Sequence, residues 1–489
     1  MVTYSFKDAK EEHLYVQLYD FIRKDIIEGR LTPGEHLPSK RKMADLQGVS
    51  TITVEKAYSQ LLTEGYLTSQ PRKGYFVAEL SAAGRVEAEE EADRRTLASD
   101  EPLLGPEDDP EWYAGQVLNR TEKDSFPFVT WTKLMREVIR TRQDDLMTPS
   151  PAQGVADLRR AIADHLKSFR GLTVSPDQIV VGAGTEYLYT VIVQLLGKDL
   201  IYALEDPGYP KSGDVFRMQH AACVYARLDS HGMVPDALRE QGANVAVISP
   251  SHQFPTGIVM PINRRYELLG WANETDQHYI VEDDYDSEFR MSGKPIPTMT
   301  GMDLTGRTIY MNTFSNSMAS TFRISYMILP PKLAEIYRRR YRHMNCTVST
   351  FEQYTLAAFI SQGYFAKHLS HMRSHYRKKR EAFMEILSRP DFRKAVQVFE
   401  HGDGLHFLIK IPGLRSDEDF ITGCRREDIR ISALSDYYQH PTKDAEHVFV
   451  VGYTGISIER IQRSAEKMRK LYLCNAASDS GEDPMTSAL

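Results

Sequence analysis

Two short stretches hold most of the residues able to do chemistry. VEDDYDSEFR (281–290) puts Asp283 and Tyr285 two positions apart after an apolar run, so an extended chain aims both side chains the same way. A carboxylate and a phenol at that spacing suit a ligand ring with a protonated nitrogen and an ionised oxygen. NTFSNSMASTFRISY (312–326) follows another apolar run with Ser315, a small-residue loop and Arg323, groups that suit a small anion. At its centre stands Asn316, an amide that is neither nucleophilic nor basic. VVGAGTEYL (180–188) adds a strand, a Gly-rich turn and a helix start whose Gly184 and Thr185 N–H groups face an anion, although a plain strand-to-helix turn fits equally. Glu186 opposes a phosphate there unless it turns away. The crowding of Glu282, Asp283, Asp284 and Asp286 suggests a divalent-metal cluster as the rival reading. Alternate residues of a strand face opposite sides, so not all four can converge.

A phosphate cup, an acid for a pyridinium nitrogen and a donor for a phenolate oxygen are what pyridoxal 5'-phosphate requires, with a ring-stacking face and usually a lysine. EDPGYP (205–210) offers Tyr209 on a turn where its ring can cover the cofactor. SPSHQFPTG (249–257) ends another run in polar residues, with His252 or Gln253 available to the phenolate.

These motifs need a scaffold, and from residue 126 the pattern is α/β. QIVVGAG, LIYALEDPG, NVAVISPSH, HYIVEDDYD and RTIYMNTFS are short β-branched runs, each ending in Gly, Ser, Asp or His. Such runs predict buried strands of a mainly parallel sheet with ligand loops at their carboxyl ends. The domain is expected over 126–475, with a small α+β lobe in its last hundred residues. Residues 476–489 are expected to be a disordered tail. Residues 80–125 are expected to be an acidic linker, with eleven acids against three bases between Arg85 and Glu111.

Residues 1–79 predict a compact α+β unit. A first helix turns Tyr15, Leu18, Tyr19, Ile22, Ile26 and Ile27 inward. SKRKMADLQ, with Ser39 as N-cap, and STITVEKAYSQLLTEG, with Val54, Tyr58, Leu61 and Leu62 inward, flank a GVS turn. A hairpin follows, turning at Arg72-Lys73-Gly74. This is a winged helix-turn-helix in which Ser50, Thr51 and Thr53 open the recognition helix, Lys40 and Arg41 start the helix before it, and Lys73 and Gly74 form the wing tip. The alternative is a small helical domain whose charges are merely solvated.

LPSKRKMADLQGVSTITVEKAYSQLLTEGYLTSQPRKGYFV resembles the winged helix of the GntR family of bacterial transcription regulators, although Thr51 stands where that family often has arginine. EDPGYP, SPSHQFPTG and VEDDYDSEFR resemble the fold-type-I aminotransferases, and the pairing is similar to the MocR subfamily, which includes GabR-type regulators. The resemblance implies a head-to-tail homodimer, a double-stranded DNA operator and an effector that is a small amine, amino acid or pyridoxal phosphate. It implies cofactor contacts from Gly184, Thr185, Tyr209, His252, Asp283, Tyr285, Ser315 and Arg323. It also places at position 316 a lysine that forms the cofactor imine and moves the proton in active relatives. With Asn316 no catalytic residue is expected, and three readings follow: a cofactor held non-covalently, a preformed cofactor–amine imine as effector, or a pocket without cofactor. The family's substrate-carboxylate arginine before Gly452-Tyr453 is replaced by Val450 and Val451, with Lys211 as a substitute or a surface residue. Phe254 replaces a family asparagine. The competing functions are a working aminotransferase with an accessory DNA-binding module and a cofactor-free dimerisation scaffold.

Composition narrows the rest. A net charge of -7 over 489 residues requires any DNA surface to be local. Four cysteines without CxxC spacing speak against a disulfide framework or structural zinc. The polar N-terminus and the lack of a run of about 20 apolar residues predict a cytoplasmic protein without membrane spans. His371 and His375 are spaced as a helical metal pair, but without an acidic third ligand the surrounding basic run (RSHYRKKR) predicts a solvated helix face.

Overall fold

A computed structural model of the chain describes residues 13–79, 125–291, 296–393, 395–399, 404–427, 429 and 431–475, together with Tyr4 and Phe6. The acidic stretch 80–124 and the tail 476–489 lie outside the described residues. The chain divides into two compact units.

In the first unit, α1 (Leu14–Ile27), α2 (Lys40–Gln47) and α3 (Thr51–Thr63) pack beside a three-stranded sheet. β1 (His36–Leu37), β2 (Leu67–Gln70) and β3 (Gly74–Val77) run antiparallel in the order β1-β3-β2. Ser39 Oγ accepts the Lys42 N–H and Ser50 Oγ the Thr53 N–H, so each helix of the reading pair starts on a serine cap. Gly48, left-handed at φ 66°, ends α2 and turns the chain into α3. Leu18, Ile22 and Ile26, each four residues from the next, form the inward stripe of α1 against Val54, Tyr58 and Leu61. Ile27 sits a helical step off that stripe and is 48% exposed, a correction to the sequence expectation.

The second unit carries an eight-stranded sheet in the order β4-β11-β10-β9-β8-β5-β6-β7. β4 (Ile179–Gly182), β5 (Ile201–Asp206), β8 (Val245–Ile248), β9 (Tyr279–Asp283) and β10 (Thr308–Thr313) are the five expected runs. β6 (Ala222–Asp229), β7 (Gly232–Met233) and β11 (Ser325–Ile328) were not read from sequence. β11 is antiparallel to both β4 and β10, while β10, β9, β8, β5 and β6 are mutually parallel. Apolar clusters cover both faces of the sheet, which is why these strands are apolar throughout rather than alternating. The carboxyl ends of β5, β8, β9 and β10 share one edge.

A smaller antiparallel sheet, β12 (Gln397–Phe399), β13 (His406–Lys410), β14 (Ser432–Ala433) and β15 (Val448–Gly452), forms the C-terminal lobe in the order β12-β13-β15-β14. Helices Tyr364–Leu387, Asp417–Arg426 and Ile458–Asn475 belong to it. The basic run on the first of these is not wholly solvated. Lys379 is fully buried and donates to the Thr454 carbonyl (3.0 Å), while Arg373 and Arg377 donate to the carbonyls of Glu288 and Met291.

Candidate functional site

A cavity of about 440 Å³ opens where the parallel strands end. Asp283, last in β9, presents its carboxyl here. Oδ2 accepts the Tyr189 hydroxyl at 2.6 Å, whereas Oδ1 is buried and has no hydrogen-bond partner. Burial, opposed by the Tyr189 bond and reinforced by neighbouring acids, pushes this carboxyl up to about 6. Tyr285 lines the cavity two residues on, as the strand period requires. Burial raises its hydroxyl far above the usual range and keeps it a proton donor. Tyr209, Phe254 and Tyr437 form an aromatic wall, with Phe254 edge-on to both tyrosines.

The even-numbered acids of the strand face elsewhere. Glu282 accepts the N–H groups of Met299 and Thr300, and Asp284 pairs with buried Arg170 (2.7 Å) and accepts the Tyr310 hydroxyl. Among the described residues no three His, Cys, Asp or Glu side chains could hold a metal ion.

Thr185, Ser315 and Arg323 line the anion end of the cavity. Gly184 serves it differently from the sequence expectation: its N–H is spent on the Gly182 carbonyl (2.9 Å), and its contribution is space. At φ 95° it caps helix Thr185–Leu196, and a Cβ there would collide with the Arg323 guanidinium. Glu186 does not turn away; its carboxylate pairs with Arg323 inside the cup. Asn316 lines the cavity with its amide nitrogen donating to the Tyr285 carbonyl at 2.9 Å.

Two expected positions are corrected. His252 does not line the cavity. It is buried behind Tyr285, with Nδ1 2.7 Å from Asp286 Oδ2 and 3.2 Å from the Tyr285 hydroxyl, because its loop turns inward against His406. Lys211 is half-buried rather than a plain surface residue. It is the second residue of helix Pro210–Met218 and lines the cavity, where burial lowers its ammonium pKa and Glu186 opposes that shift. Sequence reasoning missed Tyr189, whose position one turn into an apolar helix looks like core, and the pocket role of Glu205.

The candidate DNA-reading face is exposed along the start of α3 and the wing. Arg41, Thr51, Arg72 and Lys73 are exposed, and Thr53 is half-buried. Ser50 is also exposed, but its hydroxyl is committed to the cap and to the Thr53 hydroxyl (2.8 Å). Lys40 pairs with Glu55 (2.5 Å), which reduces its availability to phosphate. Gly74, at φ 106°, lets the wing close over His36, whose Nε2 lies 2.8 Å from the Lys73 carbonyl. Ile52, two-thirds exposed on α3, was not anticipated and suits a thymine methyl.

The family model for bacterial regulatory proteins of the gntR family matches residues 14–77, and that for aminotransferase class I and II matches 112–435. The HTH-type transcriptional regulator YhdI of Bacillus subtilis strain 168 is 36% identical over 467 residues, covering 95% of this chain and 97% of its own. The probable rhizopine catabolism regulatory protein MocR of Rhizobium meliloti is 31% identical, covering 97% and 96%. The chain belongs to the MocR-type regulators of the gntR family. It is thus a DNA-binding transcription regulator with an aminotransferase-like domain. Among solved structures, kynurenine aminotransferase of Pyrococcus horikoshii superposes with a TM-score of 0.64 at 22% identity, over 81% of this chain and 96% of that one, a likeness of fold.

For a MocR-type regulator the relevant test is whether the residues present fit pyridoxal phosphate. They do. The buried Asp283 Oδ1 has no hydrogen-bond partner and suits a pyridinium N–H, and Thr185, Ser315 and the Arg323 guanidinium, which Gly184 leaves room for, line the cavity where a phosphate would take Arg323 over from Glu186.

Proposed function

We propose that this regulator senses a phosphorylated pyridine, or its amine or amino acid adduct, bound non-covalently in the cavity of its aminotransferase-like domain. The observation that carries the reading is the unpartnered Asp283 Oδ1 in a cavity whose wall at position 316 is an amide. Asp283 would hold the ring nitrogen, Tyr285 would donate to the ring oxygen, and Thr185, Ser315 and Arg323 would hold the phosphate. Tyr209, on the cavity wall, would cover the ring. Bound pyridoxal phosphate supplies an aldehyde that condenses with amines and an electron-withdrawing ring. Asn316 neither condenses with that aldehyde nor moves a proton, so transamination is not the output.

The output is DNA occupancy. A head-to-tail dimer would present two winged units, each placing α3 in a major groove, with Arg41 and Lys73 on phosphate or base edges. Ligand and operator then share one coupling free energy, whichever is added first. Footprinting upstream of the protein's own gene and of divergent neighbours tests this directly. Specific protection whose midpoint shifts with pyridoxal phosphate or an amine is expected, and Arg41→Ala should weaken it by about 1–3 kcal/mol if that guanidinium reads a guanine. Protection no better than on unrelated DNA would reject the reading.

A further inference from the structure

Glu205, the penultimate residue of β5, lines the same cavity and is 8% exposed. Its two carboxyl oxygens have different fates. Oε2 accepts the Ser249 N–H and the Gln253 side-chain amide, both at 3.3 Å. Gln253 also donates to the carbonyls of Pro207 and Phe254, so this half of the acid helps anchor two loops. Oε1 is buried and has no hydrogen-bond partner. Loop anchoring accounts for the first oxygen and leaves the second unexplained, and a buried acceptor left unmade is costly.

The pocket's charge points to what completes it. Its wall carries five carboxyl groups and three cations. Arg217 is matched by Asp214, and Arg323, paired with Glu186 in the empty pocket, is the cation that a ligand phosphate would draw on, so Glu205, Asp283 and Asp436 face a wall whose remaining cation is Lys211. Asp436 accepts the Ala433 N–H (3.1 Å), and a pyridine nitrogen satisfies Asp283 alone. Burial pushes Glu205 up to about 8, so in the empty pocket it is a neutral acid that can ionise when a cation comes beside it. At position 316, where a lysine would set its own positive charge against a ligand ammonium, the chain has a neutral amide tied to the Tyr285 carbonyl.

Building on the pocket reading above, we infer that Glu205 accepts a protonated nitrogen of the ligand and makes this cavity selective for the amine form of the phosphorylated pyridine over the aldehyde form. The fold supplies the acid from β5 and the ring-nitrogen acceptor from β9, with β8 between them, and both line the one cavity. Its ring N–H goes to Asp283 and its side-arm ammonium to Glu205.

The test is calorimetric titration of the full-length protein near neutral pH with pyridoxamine 5'-phosphate and with pyridoxal 5'-phosphate, for wild type and Glu205→Gln, alongside thermal unfolding. Wild type should bind the amine form roughly tenfold or more tightly. Glu205→Gln keeps the shape and the loop-facing acceptor but adds an amide donor, so the preference should collapse or reverse while the unfolding temperature holds or rises. Equal binding, or an aldehyde preference, in wild type overturns the inference even if the variant fails to fold. So does a preference that survives Glu205→Gln at unchanged stability. Binding of neither form by wild type rejects the pocket reading itself and this inference with it.

Discussion

The Asp283 carboxyl and the Asn316 amide stand in one cavity, the first raised to about 6 by burial and the second held by the Tyr285 carbonyl. The raised value has a stability consequence. Folding favours protonated Asp283, so its contribution is fully present below the ordinary value of 3.8 and is lost as pH rises through about 6. Asp283→Asn removes that loss. The ligand-free variant should be more stable than wild type by about 1–3 kcal/mol at pH 8 and gain little at pH 4, as read by thermal or denaturant unfolding. The same change should weaken binding of a pyridine phosphate, because the amide cannot carry the charge that a pyridinium favours. A variant less stable at pH 8 would show that Asp283 is already satisfied without ligand. At this scale the places of Asp283 and Tyr285 on the cavity wall were legible because a strand end and its period fix where they point, and those of Ser315 and Arg323, on the loop between β10 and β11, through the motif alone. His252, Lys211 and Glu205 were not, since their exposure depends on how the loops after β5 and β8 turn, which no local pattern encodes.

The junction of β4 with helix Thr185–Leu196 is the element on which the anion end depends. Gly184 has a left-handed φ of 95° and leaves its Cβ direction to the Arg323 guanidinium. Gly184→Ala should both strain this turn and displace Arg323. Affinity for phosphorylated pyridines should fall by at least about tenfold, while the unphosphorylated pyridine is little affected. Equal losses for both ligands, measured by calorimetry, would mean the anion end lies elsewhere. β4, β5, β8, β9 and β10 were legible as apolar runs with polar ends, and the reading helices through their serine caps and Gly48. β11 escaped notice because SYMI follows the Arg323 loop after a single residue, so one stretch looked like loop alone. β6 escaped because its half-exposed ACVYARLD is not continuously apolar.

For the molecule as a whole, the pairing of a reading head with an aminotransferase-like domain was legible from motifs and agrees with the family matches at 14–77 and 112–435. The proposed role of the large domain turns on Asn316 in a cavity that keeps Asp283, Tyr285, Ser315 and Arg323 on its wall. That claim is tested most directly by adding pyridoxal phosphate, reducing with borohydride, denaturing, and weighing the chain of wild type and of Asn316→Lys. The account predicts saturable binding to both. Wild type should keep its own mass, and Asn316→Lys should gain one phosphopyridoxyl group at residue 316. A stoichiometric adduct on wild type, with Lys211 on the cavity wall as its site, would contradict non-covalent sensing, and the absence of saturable binding would contradict sensing of this ligand altogether.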